Sequence, residues 1–168
     1  MKKCVLIVDD DVSIRESMKR VLEGAGYEVL LAASGQEGID QFALRAVDLL
    51  ILDLNLPIRR GWDVFEELTH VDPFMPIIVI TGLTNQFKAA MAAGAGALLE
   101  KPVDPVVLLK TMADLLGEPN EQHLQRLCGY TRDTRYVPAP KTSRRRNKAS
   151  GEKNAVAVAS HPAQNRKK

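Results

Sequence analysis

Two cysteines in 168 residues, Cys4 and Cys128, are too few for a disulfide framework or a zinc ligand set, and they point to a reducing compartment, the cytoplasm. No apolar run approaches the length needed to span a bilayer. Met1-Lys2-Lys3 ahead of a short apolar run has the outline of a secretory leader, but three aspartates end that run and no small-residue cleavage site follows, so a leader is not expected. There is no internal repeat. Residues 118–168 also lack the length and apolar periodicity of a winged-helix or helix-turn-helix domain. What is present is a hydrophobic content of 45%, enough for one ordinary core.

Charge divides the chain in two. Residues 1–117 carry 11 Lys/Arg against 17 Asp/Glu, a balance of −6, whereas residues 118–168 carry 12 against 4, a balance of +8. The split predicts a folded acidic domain over 1–117 and a basic, mostly disordered tail over 118–168.

Within the first part, short apolar runs alternate with helical patterns. Residues 4–8, 27–31, 49–52, 77–80 and 97–100 read as strands. Ser13-Ile14-Arg15-Glu16 and Ser34-Gly35-Gln36-Glu37 have the capping-box pattern at the heads of two helices. Asp104-Pro105 supplies a cap and first-turn pair for the last helix, which Gly117 closes. Five strands alternating with five helices over short connections predict a parallel sheet between two helical layers. The central runs are continuously apolar, as strands covered on both faces must be.

The polar residues gather at the carboxyl ends of those strands, where open α/β sheets hold their ligands. Asp9, Asp10 and Asp11 follow the first, Asp53 and Asn55 the third, Thr81 the fourth and Lys101 the fifth. Converging carboxylates repel one another unless a cation intervenes, and a set of hard oxygens suits Mg²⁺. A hydroxyl and an ammonium opposite them are what the oxygens of a phosphoryl group require. The pattern predicts a site where a phosphoryl group meets Mg²⁺ and a carboxylate nucleophile.

Val8-Asp9-Asp10, the run Asp53-Leu54-Asn55-Leu56-Pro57 with Gly61 after it, Thr81-Gly82 and Lys101-Pro102 occur in an order and spacing that resemble the receiver domain of bacterial two-component response regulators, over roughly residues 2–117. The resemblance implies a doubly wound five-stranded sheet in the flavodoxin-like order 2-1-3-4-5. It implies that Asp53 accepts a phosphoryl group from a phosphohistidine on a histidine kinase or phosphotransfer protein, so that the chain works as a phosphorelay receiver rather than as an enzyme in its own right. It implies further that Asp9, Asp10, Asp53 and the backbone carbonyl of Asn55 hold Mg²⁺. Lys101 and Thr81 would meet the phosphoryl oxygens, and the small Gly82 would leave them accessible to water. Asp11 has no role in the resemblance.

Three features depart from it. Leu98 stands where the family often has an aromatic ring whose position reports activation, the interval from Thr81 to Lys101 is about two residues short, and Arg59-Arg60 precede Gly61. The short interval predicts a tight loop into the fourth helix. Two other classes compete. A haloacid-dehalogenase-like phosphatase would use Asp9 as nucleophile with Asp11 beside it, but it needs a further acidic pair beyond Lys101 and leaves Asp53 unexplained. A DNA-binding regulator would act through Arg144-Arg145-Arg146, with steep salt dependence.

Overall fold

The structure is a computed structural model and describes residues 2–129 and 134–140. Strands β1 (Cys4–Val8), β2 (Glu28–Ala32), β3 (Leu49–Asp53), β4 (Ile77–Thr81) and β5 (Ala97–Glu100) alternate with helices α1 (Val12–Gly24), α2 (Gly35–Leu44), α3 (Gly61–Val71), α4 (Phe87–Ala92) and α5 (Pro105–Leu116). Beyond them lie α6 (Asn120–Leu127) and a short β6 (Arg135–Val137). The strands form one sheet in the order β2-β1-β3-β4-β5-β6, every neighbouring pair parallel. The expected 2-1-3-4-5 arrangement is present, with a sixth strand on its β5 edge.

Alternation along the strands divides the core. Leu6, Val8, Leu50, Leu52, Val79 and Leu98 meet Val64, Phe65 and Leu68 of α3, with Ile39 and Phe42 of α2 behind them. Val5, Ile7, Ile51, Ile78, Ile80 and Leu99 meet Leu22 of α1 and Leu108, Met112 and Leu115 of α5. Burial on both faces makes β1, β3 and β4 apolar without a break. The outer strand β2 is only partly covered.

The helix caps differ from expectation in one place. Ser34 caps α2, accepting from the Glu37 amide at 3.2 Å, while the Glu37 carboxylate accepts from Ala33 N–H. Asp104 caps α5 as its sequence suggests. On α1, however, the cap is Asp11, whose carboxylate accepts from the amides of Ser13 (2.8 Å) and Ile14 (3.2 Å). An anion at the positive end of a helix is favoured over a neutral hydroxyl, so the helix starts at Val12 and Ser13 lies inside it.

The larger difference comes after Gly117. The charge split ends the folded unit there, yet the structure continues through α6 and β6. The face that α6 buries is not the apolar one: Leu124 is exposed, while His123 and Arg126 are buried. Arg126 forms two parallel hydrogen bonds to Glu118, at 2.8 and 2.7 Å, with side chains only 1% and 5% exposed. Leu127 closes on Gly94, where a side chain would meet it at 3.0 Å. Thr134 donates to Ala95 C=O, and the Arg135 amide donates to Gly96 C=O, starting the β5–β6 ladder. A charged buried face carries no hydrophobic periodicity, which is why apolar patterning does not reveal this segment. The basic stretch over residues 141–168 lies outside the described residues.

Two measurements test this packing. Arg126→Ala strands the Glu118 carboxylate in the interior and should cost about 3–5 kcal/mol, read as a lower urea midpoint. His123 is held below its ordinary pKa by burial and by the charge of Arg126, against weaker opposing effects of Glu118, Asp72 and the Pro73 backbone. A base whose folded pKa is depressed gives stability that is present above its unfolded pKa and lost as pH falls through the folded value. The unfolded chain takes the proton first, from 6.5 downward. Between about pH 7.5 and 5.5 the wild type should therefore lose more stability than His123→Gln. Equal losses would show that the ring titrates freely.

Candidate functional site

The carboxyl edge of the sheet brings together what the sequence spaces far apart. Asp9 follows the last residue of β1, Asp53 ends β3, Thr81 ends β4 and Lys101 follows β5. Asp9 and Asp53 are 1% and 3% exposed, and Asp10 is exposed above them. One carboxylate oxygen from each of the three can be chosen so that all lie within 4.8 Å. The Lys101 ammonium stands between the two buried acids, donating to Asp9 Oδ2 at 2.8 Å and to Asp53 Oδ2 at 2.5 Å.

The remaining oxygens are held by the backbone. Asp9 Oδ1 accepts from the Asp11 amide at 2.8 Å, and Asp53 Oδ1 accepts from the Asn55 amide at 2.9 Å. Burial pushes the Asp9 carboxyl above its ordinary range, and the nearby Asp53 charge adds to this; the hydrogen bonds from Lys101 and Asp11 offset only part of it. Burial works against the Lys101 ammonium, but its bonds to Asp53 and Asp9 outweigh that penalty and raise its pKa. Three carboxylates and one ammonium leave a charge of −2, which one divalent cation would balance. An all-oxygen donor set of this kind fits Mg²⁺.

The loop after β3 is shaped to keep Asp53 in place. A side chain at Gly61 would sit 2.5 Å from both the Asp53 carbonyl oxygen and Leu54 Cα, so only glycine lets α3 start against the strand end. Ile58 takes the left-handed backbone region (φ 68°) and is fully exposed. Both features belong to a loop bent back sharply beneath the site.

Thr81 is buried, and its hydroxyl oxygen accepts from the Leu83 amide at 3.0 Å, so it faces its own loop. Apart from its chain neighbours, no atom of the described residues lies within 4 Å of where a side chain at Gly82 would begin. The tight passage expected here is a five-residue link, 82–86, into a helix of only six residues. Leu98 is buried in the α3/α4 core, without a ring to move. An aromatic side chain nevertheless stands beside it: Tyr136 of β6 is its partner in the sheet and packs on Phe87 of α4, ring centroids 4.9 Å apart.

Two contributors escape sequence reasoning. The Arg15 guanidinium donates to the Asp9 carbonyl at 2.5 Å. Asp11 both caps α1 and gives its amide to Asp9, and its position just ahead of a helical pattern was the available signal. Its carboxylate is thereby occupied with helix amides and stands outside the acidic cluster, which removes the paired acid that the dehalogenase-like reading needs. Beside Lys101 a groove of about 570 Å³ runs between α1 and α5, lined by Ile14, Met18, Val21, Pro102, Pro105 and Leu108 among others.

Comparison with known proteins gives a consistent result. Residues 5–113 match the family model described as the response regulator receiver domain. The response regulator MprA of Mycobacterium avium is 38% identical over 114 residues, which are 67% of this chain and 50% of MprA, so the chain spans about half the length of such curated relatives. A CheY-like receiver domain protein from Methanospirillum hungatei superposes with a TM-score of 0.68 at 35% identity, covering 73% of this chain and 98% of that one. The response regulator TrrA of Thermotoga maritima gives 0.63 at 29% identity, covering 67% and 98%.

Lys101 is the group whose removal the site should register most directly. In Lys101→Met the Asp9 carboxyl loses its hydrogen-bonded cation while remaining buried, and its pKa should rise further, as followed by carboxyl ¹³C chemical shifts against pH. An unchanged titration would mean that the ammonium does not neutralise this pair.

Proposed function

From the premise that this chain belongs to the response regulator receiver family, we propose that it is a phosphorelay component that takes a phosphoryl group onto Asp53 and thereby switches its contacts with other proteins. The observation that carries this reading is the Asp53 carboxylate itself, buried at the end of a central strand with its oxygens steered by Lys101 and the Asn55 amide. An Asp53 oxygen attacks the phosphorus of a phosphohistidine on a histidine kinase or phosphotransfer protein. The new O–P bond forms as the N–P bond breaks, and the departing imidazole takes a proton from solvent. Lys101 then compensates charge on a phosphoryl oxygen, and the Thr81 hydroxyl, still able to donate, turns to another.

Asp9, Asp10, Asp53 and the Asn55 carbonyl would hold Mg²⁺, which when bound supplies positive charge to the transferring oxygens. The TrrA structure was solved in complex with Mg(2+)-BeF; the acidic cluster here offers a donor set suited to the same cation. On this reading the chain carries out no separate enzymatic reaction and works in the cytoplasm, in keeping with its two free cysteines. Among the described residues no helix is long and apolar enough to cross a membrane.

The test is to treat wild type, Asp53→Asn and Asp9→Asn with acetyl phosphate and Mg²⁺ and to map the modified residue by mass spectrometry. The phosphoryl group should be found on Asp53 in the wild type and be absent from Asp53→Asn. A phosphoryl group on Asp9 would replace this reading with the phosphatase one. Titration with Mg²⁺ should show Asp10→Asn binding at least about tenfold more weakly, since it loses a hard-oxygen ligand; equal affinity would put the cation elsewhere.

A further inference from the structure

The segment 134–140 does more than cover a sheet edge. Its three β6 side chains alternate strictly: Arg135 turns to Glu118, Val137 joins the α1/α5 core, and Tyr136 goes to the opposite face. There the Tyr136 hydroxyl donates to Glu100 Oε1 at 2.7 Å, and the Ala139 amide donates to Glu100 Oε2 at 3.1 Å. Both oxygens of one carboxylate are thus held by this segment. Glu100 directly precedes Lys101, and it is the sheet partner of Thr81, whose carbonyl accepts from the Lys101 amide at 2.9 Å. The ring of Tyr136 rests on Phe87, the first residue of α4, at the end of the short loop that Thr81 anchors through Leu83. The segment therefore touches the acceptor site by two separate routes, Glu100–Lys101 and Phe87–loop–Thr81.

We propose that residues 134–140 form a strap whose docking on β5 and α4 is thermodynamically linked to the state of Asp53, so that phosphorylation loosens the strap and the docked strap opposes phosphorylation. The inference rests on Asp53 being the phosphoryl acceptor. With the strap docked, the Thr81 hydroxyl is turned to the Leu83 amide. Turning the Thr81 hydroxyl toward a phosphoryl group disturbs the loop it anchors and, with it, the Phe87 surface under Tyr136. A phosphoryl group also adds negative charge at Asp53, whose partner Lys101 follows Glu100, the acid to which the strap is tied. Linkage between two sites is reciprocal: the factor by which phosphorylation weakens docking is the factor by which an undocked strap favours phosphorylation, so weakening the strap favours the phosphorylated state up to that limit.

The experiment uses the full chain and two readouts. The first is hydrogen exchange at the amides of Arg135, Tyr136, Val137 and Ala139, with and without acetyl phosphate and Mg²⁺. The second is the fraction of Asp53 phosphorylated at steady state with limiting acetyl phosphate in wild type, Tyr136→Phe and Glu100→Gln. Tyr136→Phe removes one hydroxyl and keeps the ring, so the fold is retained. Glu100→Gln supplies a second variant should the first disturb packing. Phosphorylation should accelerate exchange in the strap by about fivefold or more, and both variants should shift the ratio of phosphorylated to free Asp53 upward. Unchanged or slower strap exchange with Asp53 demonstrably phosphorylated overturns the inference, and so does an unshifted ratio in the two variants. If Asp53 is not phosphorylated at all, it is the functional reading that fails, and the mass-spectrometric map separates that outcome from the other two.

Discussion

The Lys101 ammonium between Asp9 and Asp53 is the interaction on which the site depends. Two carboxylates buried at adjacent strand ends are a costly arrangement, because their like charges repel in a poorly hydrated place. A single cation bonded to both relieves the repulsion, but only if it arrives at hydrogen-bonding distance from another strand end on the same edge. The parallel sheet meets that requirement: β1, β3 and β5 all run the same way, so residues separated by 48 and 92 positions in the chain converge at one edge. Reversing any of those strands would carry its polar end to the opposite side of the molecule.

The same constraint explains the local backbone. Asp53 can face Lys101 only if the chain turns away at once, and the bend through Leu54 to Gly61 leaves no room for a side chain where α3 begins. Asp9 is fixed in turn by the amide of Asp11, while Asp11 caps the helix that follows. Each acid is thus oriented by the first turn of backbone beyond its own strand. The cluster retains negative charge after Lys101 is counted, which keeps it attractive to a divalent cation while the ammonium holds it together without one.

How far this was legible in the sequence depends on the kind of signal. Continuous apolar runs closed by acids marked β1 and β3, and the runs at 77–80 and 97–100 marked the other inner strands, because burial on both faces leaves no polar alternation to confuse the pattern. Asp53, Asp9 and Lys101 were recoverable because their positions at strand ends follow from the strands themselves. The cap of α1 was misjudged because Ser13 has the capping-box spacing, and only the backbone conformation shows that Asp11, two residues earlier, takes that position. Arg15 was not recoverable: its bond is to a backbone carbonyl, which has no sequence identity. The segment after Gly117 was legible only in part, since Leu124, Leu127 and Cys128 allow an amphipathic turn or two but do not show how the segment docks. Its docking rests on Arg126 with Glu118 and on hydrogen bonds from Thr134 and Arg135, and composition reads such residues as solvated surface.

That segment also changes how the sheet ends. Without it β5 would be an outer strand presenting unpaired amides and carbonyls, a template for association with other chains. A strand can be added there in parallel only after the chain has crossed back over the sheet, and α5 followed by α6 makes that return. The return lands on buried charge as well as on the apolar contacts of Leu127, Tyr136 and Val137, and this matters for its strength. An ion pair such as Arg126–Glu118 holds well while both partners are present, but its net gain over hydration is small. With only three residues in β6, the added strand is a weak element attached to a strong core. It is also tied at Glu100 to the residue preceding the lysine on which the acidic site depends. Through Glu100 and Lys101, this late-added segment is therefore joined by consecutive residues to the acidic edge of the sheet.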